Sequence, residues 1–284
     1  MAITIDDLPT HGLLPAGETR MSVAKTVVDT LTAHHVPEVY GFVNAGHATE
    51  SDQLAEVLTL WSKAGYPIGN HTFDHANINH SSIENYKNEI SSNEAALKYY
   101  SGKNDWHYFR YPYLLEGDTL EKRNAIRSYL AEHKYKIAQV TDDFEDWAWN
   151  DPYARCLAKK DGYSVDKLKF YYLQAALQNL MFSEKVLDHL YHRPVAHILL
   201  LHIGPFDAVM LSRLLDLYKK HGVEFIPLSE AVKDPIYDED PGIARYANDD
   251  FQFKVLKSRG LTLKDIGVEE FYNWAKPISA ICKD

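Results

Sequence analysis

Two histidines four residues apart, His71 and His75, stand in the stretch Gly69-Asn70-His71-Thr72-Phe73-Asp74-His75. On a helical turn that spacing brings both imidazoles to one side, where they can take adjacent corners of one metal ion. A carboxylate from elsewhere would make a third ligand and leave a coordination position open for water, which separates a catalytic site from a closed structural one. A single pair in a chain with fourteen histidines is weak grounds. It needs company from other segments.

The elements that must position such a site read as alternating strands and helices. Residues 2–5 are a short β-branched strand ending in Asp6-Asp7-Leu8-Pro9, and apolar spacing predicts a helix over 21–34. Strands follow at 39–43, 67–70, 106–110, 136–140 and 196–201, with helices over 52–64, 83–100, 119–133, 164–190 and 208–221 and a last strand at 224–226. About seven such units imply a mostly parallel sheet covered by helices, either open or rolled into a barrel. Residues 1–233 read as this catalytic unit. From Asp234 the rhythm breaks: 234–241 is an acidic, proline-punctuated surface excursion, and 251–261 and 268–274 read as short helices of an extension over 234–284 that packs on the core.

Placed on these elements, the ionisable residues gather at strand ends. Asp6 and Asp7 follow the first strand, His71 and His75 the third, Arg110 the fourth, Asp143 the fifth and His202 the apolar strand 196–201. In parallel α/β sheets and barrels these ends converge on one face, where sites are built. Two neutral imidazoles and one of the two aspartates make a His2Asp set for a divalent ion, and the other aspartate is free to act as a base toward water. Arg110 can keep that base ionised and oriented. His202 is the candidate acid for the leaving group, with Asp143 holding its tautomer and Asp142 beside it as a second candidate. The chemistry is metal-assisted hydrolysis of an amide or ester.

Composition narrows the partners. A net charge of −10 argues against general affinity for nucleic acid or anionic membranes. Nineteen tyrosines and five tryptophans supply rings of the kind that sugar-binding clefts use. Cys156 and Cys282 leave a bridge open, and no apolar run is long enough for a transmembrane helix. The chain enters a strand at residue 2 with no signal peptide, which fits a leading segment removed beforehand.

Five stretches resemble motifs of the polysaccharide deacetylases, carbohydrate esterase family 4, also called the NodB homology domain. Thr4-Ile5-Asp6-Asp7 resembles T-F-D-D, and His71-Thr72-Phe73-Asp74-His75 is similar to H-S/T-x-x-H. Arg110-Tyr111-Pro112-Tyr113 resembles R-x-P-Y, Asp143-Phe144-Glu145-Asp146-Trp147 resembles D-x-x-D-W, and Leu199-Leu200-Leu201-His202 resembles L-x-L-H. They occur in the family's order. The resemblance implies a distorted (β/α)7-type barrel that removes N-acetyl groups from N-acetylglucosamine-type units of peptidoglycan or chitin-like oligomers, in the periplasm or outside the cell. It implies Asp6 as base, Asp7, His71 and His75 as ligands of a zinc ion (cobalt, nickel and manganese being compatible), and Arg110 orienting Asp6. It further implies His202 as acid supported by Asp143, the backbone N–H of Tyr113 at the oxyanion, and Trp147 and Leu200 lining the acetyl pocket. Leu8-Pro9 replaces the family's usual glycine, so the loop over the site is expected to differ. Asp74 reads as a helix-start acid. The competing readings are a catalytically silent carbohydrate-binding protein on the same fold and a hydrolase of small cyclic amides.

Overall fold

The computed structural model describes residues 1–244, 250–270 and 272–283. Its longest strand is β1 (Ala2–Leu8), buried at every position because strands flank it on both sides. The other strands are β2 (Tyr40–Val43), β3 (Ile68–Asn70), β4 (Tyr108–Phe109), β5 (Lys136–Ile137) and β6 (Ile198–His202), in the order β5-β4-β3-β2-β1-β6. Every pairing is parallel. Strands buried on both faces carry near-continuous apolar runs, as in Ile198-Leu199-Leu200-Leu201.

The sheet curls toward closure as the barrel class requires. Beyond β5 the chain reaches β6: Thr141 and Asp142 donate their N–H groups to the carbonyl of Ile198, and Leu200 donates to that of Asp142. The expected strand at 224–226 is instead an extended segment holding Met1. The terminal ammonium donates to the Glu224 carbonyl (2.7 Å), and the Ile226 N–H donates to the Met1 carbonyl (2.9 Å). Pro227 then follows without an N–H to continue a ladder.

The helices covering the strands are α1 (Arg20–Ala33), α2 (Asp52–Lys63), α3 (Ile83–Tyr100), α4 (Leu120–Glu132), α5 (Asn150–Ala158), α6 (Gly162–Tyr191) and α7 (Pro205–Lys220). Thr19, Ser51, Ser82 and Thr119 start the first four by accepting a backbone N–H from the first turn, which fixes where each helix leaves its loop. α6 is the longest at 30 residues and buries Leu168, Tyr172, Leu180 and Val186 along one side.

The extension is tied to the core more firmly than an excursion would be. Ile236 is buried, Asp234 pairs with Arg193, and Asp240 pairs with Arg123. Helix α8 (Phe251–Ser258) lays Phe251, Val255 and Leu256 against Phe182 and Val186 of α6. No helix forms in the described part of 268–274, and Phe271 lies outside the described residues. Asn273 accepts the N–H of Lys276 and so starts the short α9 (Ala275–Ser279) just beyond. A disulfide joins Cys156 of α5 to Cys282.

Candidate active site

The carboxyl end of β1 carries Asp6 and Asp7, and the left-handed backbone at Asp7 breaks the strand's alternation so that both carboxylates face one cavity. Arg110, one residue past β4, is 1% exposed and lies across Asp6, with Nη1 3.3 Å from Oδ2 and 3.4 Å from Oδ1. Its Nε donates to the Ala138 carbonyl and its Nη2 to Thr4 Oγ1, so the guanidinium is fixed at every edge.

Asp7 sits at φ 64° and faces the two histidines. Its Oδ1 lies 3.4 Å from the Nε2 atoms of both His71 and His75, and donor atoms of the three residues all lie within 4.8 Å of one another. His71 Nδ1 donates to the Arg110 carbonyl (2.8 Å), which leaves Nε2 as the lone-pair nitrogen aimed at Asp7. Oδ1 is buried and accepts no hydrogen bond. An orphaned carboxylate oxygen beside two imidazole nitrogens, one of them tautomer-fixed, fits the donor set of a divalent ion. Burial pushes the His75 pKa down to about 3, with His71 beside it, so its ring stays neutral. Burial alone would raise the Asp7 pKa, but the surrounding imidazoles, His11 first among them through its hydrogen bond, hold it well below the usual carboxylate range.

The histidine pair reaches this place without a helical turn. Thr72 and His75 both have left-handed backbones, φ 65° and 53°, in an irregular loop after β3. Buried carboxamides hold that loop. Asn44 donates to the carbonyls of His71 and Thr72, Asn70 accepts the Thr72 N–H, and Asn93 donates to Asn70. Asp74 therefore starts no helix. It packs against Gly46, where a Cβ would meet its Oδ1 at 1.9 Å.

His202, at the end of β6, corrects another expectation. Its partner is Asp146, not Asp143 or Asp142. Nδ1 donates to Asp146 Oδ1 and the His202 backbone N–H to Oδ2, both at 2.7 Å. Asp143 turns its Oδ1 back onto the Glu145 N–H, and Asp142 faces inward to Asn179 and Tyr218. The chain turns sharply through Glu145 (φ 61°), which carries Asp146 inward to the histidine. Burial opposes a charge on His202, but the adjacent Asp146 carboxylate outweighs it and raises the pKa to about 10. Burial and the nearby Asp146 raise Asp143 to about 7. Behind Asp146 stands Asp207 in the first turn of α7, pushed well above the carboxylate range by burial and then by Asp146, to which it hydrogen-bonds. Tyr172 and Asn150 donate to its two oxygens.

Asp6, Asp7, His71, His75, Asp143, Tyr113, Trp147, Leu200 and His202 all line one cavity of about 650 Å³. Arg110 lies behind it, under Asp6. Tyr113 has φ 58°, and its ring meets His75 edge-on at 4.5 Å. Trp147 is 44% exposed and Leu200 is buried. Sequence reasoning missed His11, whose Nδ1 lies 2.7 Å from Asp7 Oδ2 and whose ring lies 4.7 Å from that of His202. Its signal was present in the loop Pro9-Thr10-His11-Gly12, directly after the aspartates, which returns over the strand end. Also missed was the far wall: Asn179 and Phe182 of α6 with Asp250, Phe253, Leu263 and Asn273 of the extension. No short motif marks such a wall.

Comparison with known proteins agrees with this geometry. Residues 1–155 match the family model described as polysaccharide deacetylase. The chain is 24% identical over 228 residues to a peptidoglycan-N-acetylglucosamine deacetylase of Bacillus cereus, covering 80% of this chain and 66% of that one. It is 25% identical over 195 residues to a chitin deacetylase of Arthroderma benhamiae, covering 68% and 44%. The chain thus spans about two thirds of the length of the first relative and less than half of the second. Among solved structures, a polysaccharide deacetylase from Bacillus cereus superposes with a TM-score of 0.56 at 21% identity, over 80% of this chain and 90% of that one. A family 4 carbohydrate esterase from Streptomyces lividans does so with a TM-score of 0.52 at 17% identity, over 81% and 94%. With over half of its length matched by the family model and the same barrel in these neighbours, the chain belongs to the polysaccharide deacetylase family, carbohydrate esterase family 4.

Proposed function

We propose that this protein is a metal-dependent N-deacetylase of N-acetylglucosamine-type units in a glycan, peptidoglycan or a chitin-like oligomer. One observation carries the reading. A base held by a cation (Asp6 and Arg110), a three-residue donor set (Asp7, His71, His75) and a charged imidazole (His202 on Asp146) open on one cavity.

Asp7, His71 and His75 would hold one divalent ion, zinc by donor type, with cobalt, nickel or manganese also suited to the set. Such an ion supplies Lewis-acid polarisation of the amide carbonyl and makes water easier to deprotonate. Asp6 takes the proton from the attacking water, and Arg110 holds its carboxylate in place at the cavity. The oxygen–carbon bond forms as the carbonyl electrons move onto oxygen, where the Tyr113 backbone N–H donates a hydrogen bond. His202 then gives its proton to the amide nitrogen, the carbon–nitrogen bond breaks, and acetate and a free amine leave. Trp147 and Leu200 enclose the acetyl methyl. The roles of Asp143 change on this reading: it titrates near neutrality beside the acid without holding it.

Residues 1–233 would form the catalytic unit, with 234–284 completing the substrate wall. A periplasmic or secreted location accords with the substrate class and with a disulfide, which persists in oxidising compartments. Among the described residues no helix is long and apolar enough to cross a membrane. The test is acetate release from N-acetylglucosamine oligomers and from purified peptidoglycan, with divalent metal and with chelator. Metal-dependent release supports the reading, and its absence from both substrates with metal bound moves it to a silent glycan-binding protein.

A further inference from the structure

Helix α6 carries more than the buried residues that fix it to the core. Its large side chains left exposed are Tyr163 (73%), Phe170 (60%) and Met181 (57%). They fall at i, i+7 and i+18, and Lys167, Gln174 and Gln178 fall between them at i+4, i+11 and i+15. At ~100° per residue all six lie on one outward stripe, and at ~1.5 Å per residue it runs for roughly 27 Å. A soluble helix normally puts charge on that face. This one presents two rings, a thioether and two carboxamides, with Lys167 as its single charge.

The stripe runs beside the cavity's far wall. Asn179 and Asn273 line the cavity, and their sequence neighbours Gln178 and Trp274 are bonded to each other, the indole N–H donating to Gln178 Oε1 (3.1 Å). Trp274 rests against Tyr171 (ring centroids 5.2 Å) and Tyr272 (4.9 Å), and Tyr171 against Phe170 (5.6 Å). Tyr272 is itself 58% exposed. Tyr272, Trp274, Tyr171 and Phe170 thus form a run of touching rings beside the rim, the inner two half-buried against the core, with Gln178 next to them.

We propose that this stripe is a second glycan-binding surface, on which the part of an N-acetylated oligosaccharide outside the cavity lies. Sugar rings have a flat C–H face that packs on aromatic faces, and an equatorial edge of hydroxyl and acetamido groups that pairs with carboxamides. A contiguous exposed apolar patch is where such binding takes place. Its place beside the cavity selects a glycan over a second copy of the chain. Lys167 stands 4.9 Å over the Tyr163 ring at the distal end, as a terminus of the strip. The substrate class rests on the deacetylase reading above; the surface does not depend on turnover.

The test measures binding of N-acetylglucosamine oligomers, from di- to hexasaccharide, by isothermal titration, and acetate release from the same series. Wild-type protein should bind longer oligomers progressively more tightly. Phe170→Ala and Tyr272→Ala, both at exposed positions, should each weaken hexasaccharide binding roughly tenfold and flatten the length dependence. A length profile unchanged in both variants overturns the proposal. So does a concentration-dependent dimer in wild-type protein that Phe170→Ala abolishes, because the stripe would then be a self-interface. Length-dependent binding without acetate release sinks the deacetylase reading and leaves the surface standing. Acetate release with a flat length profile does the reverse.

Discussion

Asp146 grips His202 twice, one carboxylate oxygen on the ring nitrogen and the other on the backbone N–H of the same residue. Two bonds to one residue fix the ring's direction as well as its charge. Asp146→Asn keeps an acceptor but loses the negative charge that holds the imidazole protonated. Its kcat for acetate release should fall by ~10²–10⁴ with metal content unchanged. Asp143→Asn should cost less, since Asp143 makes no bond to the ring. Equal losses in the two variants would reject this division of roles.

His11 bonds the oxygen of Asp7 that points away from the two histidines. That contact turns the other oxygen toward them and makes the carboxylate one-armed. Partners of this kind, one step removed from a metal, carry about 10–100-fold in metal affinity. His11→Ala should lose metal to a competing chelator by about that factor, with the protein still folded. Unaltered metal affinity would leave His11 as a packing residue only.

The position of the candidate residues was legible in the sequence at strand ends. Asp6, Asp7, Arg110 and His202 each fall there, because a parallel strand delivers its last side chains to the same rim. The histidine pair was placed correctly but explained wrongly. Its loop is shaped by Asn44, Asn70 and Asn93, carboxamides on three separate segments whose meeting no local pattern announces. Asp146 was misjudged for a similar reason. Spacing favours the acid nearest the strand, and only the left-handed turn at Glu145 reverses that order. The strand at 224–226 failed because strand propensity was read without counting ladder partners.

Asp142 provides a pH signature of stability. Its side chain is buried, and burial above all lifts its pKa to about 8, against about 3.9 in an unfolded chain. The folded protein therefore holds a proton between those values that the unfolded chain has released. The stability this contributes is fully present below about pH 4 and is lost as pH rises through about 8. Asp142→Asn keeps an acceptor for Asn179 and has nothing to ionise. It should gain on wild type in urea midpoint as pH rises across that window. Parallel profiles would mean that Asp142 ionises normally.

Lys254 ties the extension to the barrel. Its Nζ donates to Glu116 Oε1 (2.8 Å), both side chains are buried, and Gln139 and Arg127 donate to the same carboxylate. Lys254→Met leaves that acid short of one cation and should destabilise the fold on the order of 3 kcal/mol. Lys254→Met with Glu116→Gln should cost less than the two single changes summed. Because Phe253 lines the cavity next to Lys254, the single variant should also raise KM. Additive losses with KM unchanged would uncouple this anchor from the cavity wall.

Arg110 serves both halves of the site by different parts of itself: its guanidinium holds Asp6, and its main-chain carbonyl holds His71. A side chain can be exchanged by a single codon, whereas a carbonyl belongs to every residue type. The hold on His71 is therefore indifferent to mutation at position 110, and the hold on Asp6 is fully exposed to it. A substitution at position 110 thus removes the cation beside Asp6 while the carbonyl that fixes the His71 tautomer stays in the chain.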